Sequence, residues 1–163
     1  MDRNGRFECK ITFFGNSTVA DADRVLRNIV KTIEKIFDFP NKRAYEFWLT
    51  FFCGGYGEFD GLASRAVDIL RKRYPDVGIK KYFVAPYLDP SYLKKLEFIK
   101  EYYDEIIYPP IENVPPQFAI LERNHWMISN SDIGIYYCQY KYGNTGKLLS
   151  YAKSKSLELW EVR

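Results

Sequence analysis

Two glycine-rich turns and one arginine are the residues of this chain whose types and spacing suit chemistry. Gly54-Gly55-Tyr56-Gly57 runs into Glu58 and Asp60, and Gly143-Asn144-Thr145-Gly146-Lys147 runs into a helical stretch. A glycine-rich turn that opens a helix leaves backbone N–H groups free and aims the positive end of the helix dipole outward, so its natural guest is an anion. The two turns differ in charge. Glu58 and Asp60 fall in the first turn of their helix, where they suit the dipole but repel a phosphate. That turn is expected to face a ribose or a base, with Asp60 accepting from hydroxyls. The second turn has no acid there and offers the Thr145 hydroxyl and the Lys147 cation, which makes it the better phosphate seat. Neither run is a Walker A or dinucleotide-binding fingerprint. Arg123 lies three residues after Ile120 and four before Met127, on one helical face. Such an arginine is either a structural residue or a fork for phosphate or carboxylate, and spacing alone favours the structural role. His125 reads as a surface or satisfied histidine, and Asp132 as a cap at a strand's start.

These residues need elements to hold them. Cys9–Phe14 is a short, largely apolar run stopped by Gly15, and Phe47–Cys53 is aromatic and apolar apart from Thr50, as a strand covered on both faces must be. Ile79–Ala85, Glu105–Tyr108, Ile133–Cys138 and Leu157–Val162 continue the series of strands. Between them, Val25, Ile29, Ile33 and Ile36 recur at helical spacing, as do Leu62, Ala66, Ile69 and Leu70. Further helices are expected over Ser91–Tyr102 with Ser91 as cap, from Pro116 to about Asn130, and from about Thr145 to Lys153. Pro109, Pro110, Pro115 and Pro116 mark an ordered loop before the fifth strand. Alternation of this kind predicts one α/β domain over residues 1–163, a mostly parallel sheet with helices on both faces. Ligands of such sheets bind beyond the carboxyl ends of the strands. Four turns should converge there: Gly15-Asn16-Ser17-Thr18, Gly54–Gly57, Ala85-Pro86-Tyr87 and Gly143–Gly146.

Composition closes several routes. The 163 residues are 47% hydrophobic and 18% aromatic, which argues against disorder. A net charge of +3 is weak, so bulk electrostatics predicts that nucleic acid is an improbable partner. No apolar run approaches a membrane span, and the first residues lack a secretory signal. Cys9, Cys53 and Cys138 sit in or beside apolar runs without a pairing pattern, which fits a reducing cytoplasm. With a single histidine, a metal site is not expected.

Arg123-Asn124 with Met127, then Ser131-Asp132, an apolar strand and Gly143…Thr145-Gly146 resemble the core of the SLOG superfamily. This Rossmann-like group includes the Smf/DprA DNA-processing proteins and the LOG-type nucleotide phosphoribohydrolases. Phe13-Phe14-Gly15, Phe52 through Asp60, Tyr108-Pro109-Pro110 and Phe118-Ala119-Ile120 look like its small bacterial YspA-like branch. The resemblance implies a three-layer Rossmann-like fold, a nucleotide pocket and pairing into a homodimer or higher homo-oligomer. The converging turns, taken with the pocket that the resemblance implies, give an expected ligand set of Gly15, Asn16, Ser17, Gly54, Gly55, Gly57, Asp60, Arg123, Asn124, Gly143, Asn144, Thr145 and Gly146. LOG-type hydrolases carry a glutamate three residues past the threonine, where this chain has Leu148, and YspA-like proteins usually carry a histidine at Asn16. The leading expectation is therefore binding of a nucleotide or nucleotide-derived small molecule, in a sensor for example, with no required cofactor. The alternatives are hydrolysis of an N-glycosidic or phosphoester bond, using Arg123 with Asp60 or Glu58, and single-stranded DNA binding.

Overall fold

The computed structural model describes residues 5–87, 90–140 and 143–163. Six strands form one sheet: β1 (Phe7–Gly15), β2 (Phe47–Cys53), β3 (Gly78–Val84), β4 (Glu105–Ile107), β5 (Ile133–Tyr137) and β6 (Glu158–Glu161). Every pairing is parallel, in the order β4-β3-β2-β1-β5-β6. The chain winds outward from β1 to β4, then returns to lay β5 on the other side of β1. The β1–β5 boundary is thus the topological switch point, where crossovers leave in opposite directions.

Three helices, α1 (Ala22–Ile36), α2 (Glu58–Arg73) and α3 (Pro90–Ile99), cover one face, and α4 (Ala119–Ser129) and α5 (Asn144–Lys153) cover the other. The expected apolar stripe of α1 is the buried one, and the Asp21 side chain accepts from Arg24 N–H at its start. Ile11, Phe13 and Phe51 point toward α1 and α2. Their neighbours Phe14 and Phe52 point the other way, onto Leu148 of α5 and Met127 of α4. Strand alternation therefore gives each helical layer its own half of the core. The result is a three-layer Rossmann-like α/β fold, as the alternating pattern predicts.

Local differences from the sequence reading have local causes. Ser91 is the second residue of α3 rather than its cap, because Pro90 takes the first helical position that suits its fixed φ. Pro116 opens a single 3-10 turn, Pro116–Phe118, before α4 begins. Two further 3-10 turns, Phe39–Asn41 and Arg43–Glu46, join α1 to β2. They are too short to carry a periodic signal. Inside the sheet, Lys81 is 1% exposed, and its ammonium donates to Ser64 Oγ at 2.9 Å and to both Asp68 carboxylate oxygens at 2.9 and 3.1 Å. No helix among the described residues is long and apolar enough to cross a membrane.

Candidate functional site

A groove of about 840 Å³ lies at the carboxyl end of β1, between the β1–α1 turn, the start of α2, α4 and the start of α5. It is the concavity that a switch point creates. Gly15, Asn16, Ser17, Asp60, Arg123, Asn124, Asn144 and Thr145 line it, together with Thr18, Lys147 and Leu148.

Arg123 sits at its base with 1% exposure. Its Nη1 donates to Gly54 O at 2.6 Å and Val84 O at 3.2 Å, and its Nε donates to Asn124 Oδ1 at 3.0 Å. These carbonyls end β2 and β3, so the arginine ties α4 to two strand ends. Nη2 is buried without a hydrogen-bond partner among the described residues. A Cβ on Gly54 would come within 3.0 Å of that nitrogen and 3.2 Å of Asp60 Oδ2. Glycine at this position is what lets the guanidinium and the carboxylate approach the turn together.

Asp60 accepts from Tyr56 N–H at 3.0 Å, and burial pushes its carboxyl up to about 6 against the opposing pull of Arg123 and that N–H. Glu58 is occupied differently. Its carboxylate accepts from Val19 N–H at 2.6 Å while its own N–H donates to Ser17 O at 2.8 Å. It laces the β1–α1 turn to the start of α2 and does not line the groove. Gly57, at φ +93°, lies so close to this turn that a Cβ would stand 2.9 Å from Ser17 Cα. Gly55 packs toward Phe83, Gly143 precedes α5 as its cap, and Gly146 lies within α5. Gly54, Gly55, Gly57 and Gly143 shape the turns, and none of these four or Gly146 is among the described residues that line the groove. Asn16 is partly spent as well, since its Oδ1 accepts from Gln139 N–H at 2.7 Å.

Leu148, where LOG-type hydrolases carry their acid, packs with Phe14, Ile128 and Ala152. Among the described residues lining the groove, Asp60 is the one carboxylate. His125 stacks on Tyr151 at 4.1 Å with Glu122 beside it, and Asp132 accepts from Lys10 N–H at 2.9 Å. Both are structural contacts away from the groove.

Three residues around the groove escaped the sequence reading. Tyr56, Phe118 and Tyr140 line it while remaining 63%, 49% and 61% exposed. A signal was present: Tyr56 sits inside a glycine turn and Tyr140 follows a strand's end, places from which a ring reaches no core. With Lys147 and the acid-free N-terminus of α5, the rim combines aromatic faces with a seat for phosphate.

No family model matches the chain, and no curated protein matches it. Among solved structures it is similar to DNA processing protein A from Helicobacter pylori, described for a unique mode of binding single-stranded DNA. The two share 14% identity and a TM-score of 0.54, over 94% of this chain and 64% of that one. The chain thus spans less than two thirds of its neighbour, and the likeness is one of fold. It corrects one expectation. The weak net charge predicted nucleic acid to be an improbable partner, yet a protein of this fold binds single-stranded DNA. Net charge averages over the whole surface, whereas binding depends on what lines one groove.

Proposed function

We propose that this chain binds single-stranded nucleic acid in the groove beyond the carboxyl edge of its sheet. The observation that carries the reading is the set of three largely exposed aromatic rings, Tyr56, Phe118 and Tyr140, around one concavity. Successive unpaired bases stack on such rings whatever their sequence. Lys147 and the N–H groups opening α5, which no side chain among the described residues caps, supply the place for a backbone phosphate. The single-stranded DNA binding of the structural neighbour supports the reading, as does the motif resemblance to the SLOG superfamily, in which we place the chain; the YspA-like branch rests on the motifs alone. A second reading, a nucleotide or nucleotide-derived small molecule in the same groove, is favoured by one feature: the unpartnered Arg123 Nη2 beside Asp60, a donor and an acceptor suited to a sugar. Hydrolysis of such a ligand would rest on Asp60 alone.

Fluorescence anisotropy with a labelled 20-nucleotide single strand tests the proposal. Binding that weakens with salt, at a log–log slope of about −0.7 per phosphate contacted, is the expected result. No binding of the strand, with saturable binding of a nucleoside monophosphate by calorimetry, would transfer the groove to the second reading.

A further inference from the structure

A second cavity, of about 200 Å³, opens at the same edge of the sheet, over the ends of β3 and β4. Tyr87, Tyr108, Pro109 and Pro116 form apolar walls, and among the described residues Glu112 contributes the one charged side chain. At roughly 30 Å³ per water, the space equals about seven waters, the scale of a single substituted heteroaromatic ring. The wall is preformed. Ile111 N–H donates to Pro109 O at 2.8 Å and Val114 N–H to Ile111 O at 3.0 Å, and the prolines fix φ through this stretch. Glu112 is exposed and makes no hydrogen bond or ion pair among the described residues. An ionised carboxylate only accepts, so a flat ring seated here would meet Glu112 best with a hydrogen-bond donor.

The start of α4 divides this cavity from the groove. Pro116 and Ala119 face the cavity, while Gln117, Phe118 and Ile120 face the groove. A strand stacked on Phe118 has its neighbouring nucleotide within reach of the cavity, on the other side of one short segment. We propose that the cavity receives one base of the bound strand and that Glu112 accepts from its exocyclic amine. Cytosine carries such a donor at N4, whereas thymine carries an acceptor, O4, at the same place. The chain then prefers cytosine-rich over thymine-rich single strands. This inference rests on the single-stranded reading above.

The experiment compares 20-nucleotide oligo-dC and oligo-dT by anisotropy at pH 7.5. One hydrogen bond to a charged acceptor predicts oligo-dC about fivefold or more tighter. Glu112→Leu removes a negative charge and so shifts both affinities; the readout is their ratio, which should fall to about one. Glu112→Gln keeps an acceptor and should keep part of the preference, and Tyr108→Ala should weaken both strands. Equal affinity of the wild type for both strands overturns this inference while leaving single-stranded binding in place. A preference that survives Glu112→Leu overturns it too, by locating selection elsewhere. Failure to bind either strand removes both the reading and the inference.

Discussion

Arg123 of α4 donates through Nη1 to Gly54 O, at the end of β2, across 2.6 Å and 69 positions of sequence. The bond joins the helix layer over one face of the sheet to the turn that opens α2 on the other. The same nitrogen reaches Val84 O, so one guanidinium satisfies the carbonyls that end two adjacent strands. A buried carbonyl without a donor costs free energy that solvent cannot return.

Arg123→Met should therefore lower stability by roughly 2–4 kcal/mol, the cost of leaving two buried carbonyls without their donor. Urea denaturation of the variant measures it. Unchanged stability with weakened ligand binding would show that the guanidinium serves the ligand and not the turn.

Asp60 gives the fold a pH dependence of defined sign. Its carboxyl is raised from 3.8 to about 6, chiefly by burial. A group that holds its proton more tightly when folded stabilises the fold at low pH. The contribution is complete below the unfolded value of 3.8 and is lost as pH rises through about 6. Asp60→Asn keeps an acceptor for Tyr56 N–H and removes the titration. Relative to wild type it should gain on the order of 1–2 kcal/mol between about pH 4.5 and 7, partial exposure having been discounted. An identical difference between the two proteins at both pH values would refute the assignment.

The exposed rings make a separable prediction. Phe118→Ala and Tyr140→Ala remove side chains that stay 49% and 61% exposed, so each should cost no more than about 1–2 kcal/mol of stability and lower the thermal melt by only a few degrees. Stacking is worth about 1–3 kcal/mol per base, and each variant should weaken single-strand binding by roughly 5- to 100-fold. Affinity unchanged in both would leave the groove without its carrying observation.

What could be read in advance followed from periodicity. The stripe Val25, Ile29, Ile33 and Ile36 and the apolar run Phe47–Cys53 place α1 and β2 because each element's pattern is local, and the β–α alternation then dictates the sheet. The groove was legible in part, since Gly15, Asp60, Arg123 and Thr145 belong to turns or faces at the carboxyl edge. Two things were not. Glu58 and Asp60 are two residues apart and of one chemistry, yet one laces Val19 to the turn and the other lines the groove; only the approach of the β1–α1 turn separates them. The rim formed by Tyr56, Phe118 and Tyr140 spans three distant segments, and no local pattern records that they meet. Charge misled for a related reason, because +3 summed over the chain says nothing of Lys147 beside an acid-free helix start.

The buried Lys81–Asp68 pair predicts an asymmetry between its two partners. Lys81 is 1% exposed, whereas the Asp68 side chain is 51% exposed. Removing the lysine leaves Asp68 in water, where a carboxylate is content, and Lys81→Met fills the vacated space with an apolar chain of similar length. Its stability should stay within about 1 kcal/mol of wild type, since replacing a buried charge by a packed hydrophobe is often neutral. Removing the aspartate leaves an ammonium inside the sheet whose remaining partners, among the described residues, are Ser64 Oγ and the face of Tyr103, 4.5 Å away. Asp68→Ala should cost roughly 3 kcal/mol or more, because a buried charge that loses its partner keeps its desolvation penalty. Combining Lys81→Met with Asp68→Ala should restore most of that loss. Equal destabilisation by both single variants, with no recovery in the double, would mean that the lysine is held by packing around its stem and not by the carboxylate.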